Sequence, residues 1–190
     1  MKLKFVWVVS LGVVFCGACG SANGAKPTST DQLAPNRLYP LKVGAVWSYN
    51  VDTGVGLNTL AISRVLSVRG QRVEVGSGGA PIAYEVSSEG IRRQDDRTWV
   101  LKAPIRSGAR WQSPVGEARV LSTEATIETP AGSFTHCVRV EEQSEDRSRR
   151  VETIYCPNVG PVYIDSHMEL KVAATQTRVS ARLLGYKFGH

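Results

Sequence analysis

Beyond residue 38 the chain repeatedly switches between apolar runs at period two and clusters of turn residues. Val43-Gly-Ala-Val-Trp-Ser-Tyr-Asn-Val-Asp52 is rich in aromatic and β-branched residues, which suit a half-buried pleated surface. Leu57–Val68 alternates loosely, with Leu60 and Ile62 on one side, then Leu66 and Val68. Arg69-Gly70-Gln71 predicts a turn, and Val73 and Val75 resume the period, so a hairpin is expected. Ser77-Gly-Gly-Ala-Pro81 predicts another turn before Ile82–Val86. Glu89-Gly90 and Asp95-Asp96 bracket two short strands, Ile91–Gln94 and Thr98–Leu101.

The pattern continues to the C-terminus. In Ala118–Glu128, Leu121, Ala125 and Ile127 share one parity and Val120 the other. Pro130-Ala-Gly132 predicts a turn. Phe134–Glu142 and Arg150–Cys156 flank a charged tip, Asn158-Val-Gly-Pro161 turns into Val162–Ile164, and Thr177–Lys187 closes the series. The best helical candidate, Ala173–Leu184, carries Thr175, Thr177 and Val179, which suit a strand better. Short strands with frequent turn signals predict an all-β fold, mostly antiparallel, forming one barrel-like or sandwich domain over residues 38–190.

One motif occurs twice. Pro40-Leu-Lys-Val-Gly-Ala-Val-Trp47 and Pro104-Ile-Arg-Ser-Gly-Ala-Arg-Trp111 share Pro, aliphatic, basic, any, Gly, Ala, any, Trp. Structurally, each copy would start a strand, with Gly allowing an unusual backbone angle and Trp anchoring the core. Functionally, the two copies could be equivalent binding loops. Trp47, Trp99 and Trp111 are therefore candidates for either packing or ligand contact.

Upstream, the pattern is different. Lys2 and Lys4 precede a short apolar run from Phe5 to Phe15, and small residues follow, as in a secretory signal. The run is shorter than the ~20 residues that span a bilayer. Gly17-Ala18-Cys19 resembles the lipobox of bacterial lipoproteins, although Cys16 stands where Leu is usual. That resemblance implies cleavage after residue 18 and a lipid on Cys19, and, with no Asp after the Cys, an outer-membrane address. Residues 19–37 are small and polar, without an apolar period, and read as a flexible tether.

Three internal blocks resemble a group of uncharacterised bacterial lipoproteins and secreted proteins. They are Tyr-Pro-Leu-Lys-Val-Gly-Ala-Val-Trp-Ser-Tyr (39–49), Thr-Pro-Ala-Gly-Ser-Phe-Thr-His-Cys-Val (129–138) and Tyr-Cys-Pro-Asn-Val-Gly-Pro-Val (155–162). Where that group commonly has a small residue and Gly-Leu-Val, this chain has Cys156 and Gly-Pro-Val. The resemblance implies an envelope β-sheet domain and no activity.

Composition and charge narrow the functional classes. The 190 residues are 42% hydrophobic and 21% charged, an ordinary globular balance. Loss of Lys2 and Lys4 with the leader lowers the formal charge from +6 to +4. This mild excess favours an anionic surface, and no nucleic-acid recognition motif accompanies it.

Of the cysteines, Cys137 and Cys156 fall opposite each other if the hairpin tip centres on Asp146-Arg147, which predicts a disulfide. A metal site from His136, Cys137, Cys156 and His167 would lack any clamp spacing, and no metal or cofactor is expected. Ser133 lacks a nucleophile-elbow context, and Asp95 and Asp96 adjoin in a turn. No catalytic residue is assigned.

Three functions follow in order of preference. The first is a non-enzymatic envelope lipoprotein, held to a membrane by its lipid and facing a protein partner or the cell wall. The second is a carrier of a lipid or other apolar ligand in an open barrel. The third is an enzyme with a dispersed site.

Overall fold

The computed structural model describes residues 33–56, 58–170 and 175–189. The expected signal peptide, the expected lipidation site at Cys19 and most of the expected tether lie outside the described residues. One short helix, α1 (Pro35–Leu38), precedes twelve strands. These are β1 (Val46–Asp52), β2 (Asn58–Arg69), β3 (Arg72–Gly76), β4 (Ile82–Val86), β5 (Gly90–Arg93) and β6 (Trp99–Lys102). They continue as β7 (Arg110–Gln112), β8 (Glu117–Thr129), β9 (Gly132–Gln143), β10 (Arg149–Cys156), β11 (Gly160–Leu170) and β12 (Thr175–Lys187).

All twelve strands form one antiparallel sheet in the order β6-β5-β4-β3-β2-β1-β12-β11-β10-β9-β8-β7. The first and last strands of the sheet, β6 and β7, are consecutive in sequence, so the meander curls into a nearly closed barrel. The Trp111 indole N–H of β7 donates to the Trp99 carbonyl of β6 at 3.0 Å across the seam. The all-β expectation holds, and the barrel form prevails over the sandwich.

The doubled motif builds two equivalent strand starts. Gly44 and Gly108 both have positive φ, at 74° and 82°. In each copy the Ala amide bonds the carbonyl of the basic residue three places earlier, Ala45 to Lys42 and Ala109 to Arg106. Each Ala carbonyl then accepts from the neighbouring long strand, from Val65 and from Val120. Leu41, Ile105, Trp47 and Trp111 are buried. The motif is a folding unit that opens each half of the meander.

Because strands alternate in direction, the barrel has two ends. The turns at 39–45, 69–72, 86–90, 102–110, 129–132 and 156–160 gather at the near end, with the chain's C-terminal Phe188 and Gly189. α1 lies across this end, packing on both β5 and β11. The Asn158 amide bonds the Arg37 carbonyl at 2.7 Å. Leu33 packs on the core, and Pro35 and Leu38 are buried. Leu33–Arg37, at the end of the segment expected as a tether to residue 37, thus pack against the barrel. Pro35 at the first helical turn starts a helix too short to show a period.

Candidate functional site

The side chains that face the barrel interior can be read from the register. Across β1, β12 and β11, Val51, Ala181 and Ile164 are paired neighbours. The row continues through Thr153, Val140 and Val120, all three buried. The next buried layer towards the near end is aromatic. Tyr39, carried in by α1, meets Trp47 with ring centroids at 5.4 Å, Tyr155 at 6.3 Å and Tyr84 at 6.4 Å. Tyr49 adds a fourth buried phenol, its hydroxyl donating to the Pro161 carbonyl at 2.9 Å.

Burial raises the pKa of all four tyrosines. For Tyr155, the neighbouring Glu142 and Tyr84 push in the same direction. The phenols therefore stay neutral hydrogen-bonding groups.

Glu142 faces inward from β9, paired in register with Ala118 and Val151. Burial raises its pKa, partly offset by the Ser113 side chain, Arg149 and the Val115 amide. It ties down the 112–117 turn and faces inward one step beyond Val140 towards the far end, near enough to Tyr155 to help raise its pKa. The sequence reading missed both features. The one signal was parity, since Tyr84 shares its face with Ile82 and Val86.

The three tryptophans do not converge. Trp47 is fully buried and donates its indole N–H to the Val159 carbonyl at 2.6 Å. Trp111 is buried at the seam, on the opposite side of the barrel from β1. Trp99 is half-buried on the outer face, between the Arg92 guanidinium at 5.6 Å and the Lys102 ammonium at 5.5 Å. Trp47 and Trp111 thus take the packing role.

Cys137 and Cys156 form a disulfide with a Cα separation of 4.3 Å. The β9–β10 register around it pairs Val138 with Tyr155 and Val140 with Thr153. Closing a loop of 19 residues contributes ~3 kcal/mol through the unfolded chain. The bond also takes both sulfurs out of any metal-ligand set.

The remaining chemical candidates are dispersed. His136 is exposed and pairs with Glu124 at 2.6 Å, while His167 pairs with Asp165 at 3.2 Å. Ser133 bonds Glu128. Asp95 binds Arg93 within its turn, and Asp96 caps Thr98. Ser133 and His136 line one open depression with Arg37 and Asn158, each bonded to its own glutamate, whereas Asp95 and Asp96 share a turn around Arg93 and His167 lies on a third strand.

On the outer face, Asp165 binds Arg178 through two contacts of 2.9 Å. Burial pushes the Asp165 pKa upward, but its bonds from Arg178 and His167 prevail and hold it below the usual carboxylate range. The depressions on this face are open and polar. One of about 310 Å³ is lined by Asp52, Tyr163, Arg178, Ser180 and Arg182.

The outer face of β2 is apolar. Trp47 pairs with Ser63 and Tyr49 with Ala61, so Leu60 and Ile62 point away from the core. Leu60 is 64% exposed, and Ile62 and Leu66 are also exposed. The β2–β3 ladder begins only at Arg64 and Gly76. Among the described residues, Asn58–Ile62 is therefore laddered to β1 on one side and has no strand partner on the other, while the Ser63 hydroxyl accepts from the Ser77 hydroxyl at 3.0 Å. No charged residue occurs from Thr53 through Ser63.

Neither a family model nor a curated protein matches the chain. Two solved structures resemble it. One is described as a "putative exported protein with YmcC-like fold" from Bacteroides fragilis, with 15% identity and a TM-score of 0.47. The other, from Parabacteroides distasonis, is described as a "putative lipoprotein", with 13% identity and a TM-score of 0.45. Each match covers 79% of this chain and 98% of the other.

Proposed function

We propose that this chain is a lipid-anchored, exported envelope protein without enzymatic activity, whose barrel offers the free edge of β2 to a protein partner. The observation that carries this reading is the uncharged segment Asn58–Ile62, without a strand partner on its β3 side among the described residues and bearing exposed Leu60 and Ile62. Native edge strands are ordinarily blunted by Lys, Pro or a covering element. An unblunted edge with apolar side chains suits strand addition, in which main-chain bonds hold the partner and alternate side chains select it. Ser133 and His136 share an open depression but are each bonded to a separate glutamate, and Asp95, Asp96 and His167 lie elsewhere, which supports the absence of a catalytic role.

A photo-crosslinking residue at Leu60 or Ile62 in growing cells tests this. A discrete protein adduct is expected. Adducts confined to cell-wall polymer, or none at either position, would refute the protein-partner reading. The anchor is tested separately. Cys19→Ala is expected to abolish acyl labelling and release the protein from the membrane fraction, and unchanged retention would refute a lipid on Cys19.

The carrier reading keeps one supporting observation. Val51, Ile164 and Ala181 face inward but are only half-buried, so the far end of the barrel has an apolar, accessible inner wall.

A further inference from the structure

The chain's positive charge is not evenly spread between the two ends of the barrel. The near-end turns and strand ends carry Lys42, Arg69, Lys102, Arg106 and Lys187, all exposed. The acids exposed in those turns are Glu89 and Glu128. At the far end the balance reverses. There Asp52, Asp95, Asp96, Glu117, Glu145 and Asp146 outnumber the arginines of the same loops. Apolar groups stand among the near-end cations. Val43 is 66% exposed and Tyr186 is 41% exposed, the latter stacked between Phe134 and Phe188.

The chain also leaves the barrel at this end. α1 crosses the near end, and Leu33 is the first described residue. Cys19 precedes Leu33 by 14 positions. Even fully extended, that stretch reaches at most about 50 Å. A lipid on Cys19 would keep the barrel within that distance of the bilayer, with the near end as the point of attachment. The reach exceeds the ~43 Å of the longest strands, so the tether alone does not set which end faces the membrane.

We infer that the near end is a membrane-docking surface, seating Val43 and Tyr186 among the headgroups of an anionic bilayer with its basic ring on the phosphates. This inference rests on the anchored reading above for proximity to a membrane, and on the charge distribution for its orientation and affinity. Opposite charge and aromatic groups at headgroup depth are the usual components of peripheral binding. Docking would point the far end, and the free edge of β2 beside it, away from the membrane.

The test uses residues 19–190 carrying Cys19→Ala, exported behind a cleavable leader, so that no acyl chain contributes. Cosedimentation is measured with vesicles of phosphatidylcholine alone and of phosphatidylcholine mixed with phosphatidylglycerol. Binding is expected only to the anionic vesicles and should weaken as salt is raised. Each removed near-end charge is expected to lower the partition constant about fivefold, so Lys42→Gln with Lys187→Gln lowers it roughly twenty-five-fold. Arg149→Gln at the far end should leave it within about twofold.

Absence of binding to anionic vesicles at low salt would overturn the inference, and that arm needs no variant to fold. Equal losses from near-end and far-end variants would overturn it too, since binding would then follow net charge alone. Failure of the anchor shows separately, as wild-type protein that takes up no acyl label.

Discussion

At the scale of single residues, burial of polar groups is the strongest constraint in this barrel. Glu142 lies inside it with a raised pKa because burial penalises the carboxylate. A folded-state pKa above the unfolded value means that the native state binds more protons between the two. Stability therefore falls as pH rises through that window, and the full penalty persists above it. Glu142→Gln keeps an acceptor for the Val115 amide without the charge. It should stabilise the protein near neutral pH by on the order of 1 kcal/mol. Urea melts should show the gain vanishing once pH falls below the ordinary glutamate pKa of ~4.3. A gain that persists unchanged in acid would mean that the carboxylate is not the cause.

Trp47 presents the opposite case, a donor whose partner cannot be replaced. Trp47→Phe would leave the Val159 carbonyl unpaired in the core and open space beside Tyr39. A loss of about 2–3 kcal/mol is expected. Trp99→Phe removes the contacts with Arg92 and Lys102 and trims a side chain only partly packed on the core, while its carbonyl still accepts from Trp111. It should cost ~1 kcal/mol or less. Similar losses for the two variants would contradict the assignment of Trp47 to the core and Trp99 to the surface.

At the scale of elements, the doubled motif makes a comparison that the protein itself supplies. Gly44 and Gly108 occupy the same turn with nearly the same φ. A Cβ on Gly108 would meet nothing within 4 Å, whereas one on Gly44 would approach the Gly189 Cα at 3.0 Å. Gly108→Ala should therefore cost only the backbone term, about 1–2 kcal/mol. Gly44→Ala should cost more, and deleting Gly189 and His190 should bring the two losses together. Equal losses in the full-length chain would show that the C-terminus does not press on the first turn.

The elements also show how far the amino-acid sequence could be read. Strand positions, turns and the hairpin that aligns Cys137 with Cys156 were legible, because each depends on local pattern or on symmetric pairing about a tip. Side-chain facing was legible only where the ladder is regular. In β2 a bulge between Val65 and Ser67 shifts the phase, so Val65 is buried and Leu66 is exposed. In β8 irregularities on both sides of Ser122 break the parity expected to unite Leu121 with Ala125, and Leu121 turns outward. An extra residue in one strand is invisible until its partner strand is known. The phenolic layer was illegible for a similar reason. Tyr39, Tyr84 and Tyr155 are brought together by the closing of the sheet and by α1, not by spacing along the chain.

At the scale of the whole molecule, the two ends of the barrel differ in what fills them, and that difference decides between a binding module and a carrier. The near end is stoppered by α1, Tyr39, Trp47 and Phe188, whose rings are in mutual contact. Towards the far end the inner wall is lined by Val51, Ile164 and Ala181, half-buried in one row with Thr153, and Glu142 faces inward one step further out. A carried lipid would have to enter there and place its tail against a layer of phenols and a carboxylate. Carrier sites bury most of an apolar ligand within a mainly apolar cavity. Here the apolar depth ends at polar groups that stay hydrogen-bonded, so tail burial would be shallow. Native mass spectrometry of residues 19–190 with Cys19→Ala, purified without detergent, should accordingly find the protein alone. A reproducible added mass matching one lipid, lost when Ala181 is replaced by Trp to fill the mouth, would establish the barrel as a carrier. The free edge of β2 would then be the place where its cargo or its acceptor is met.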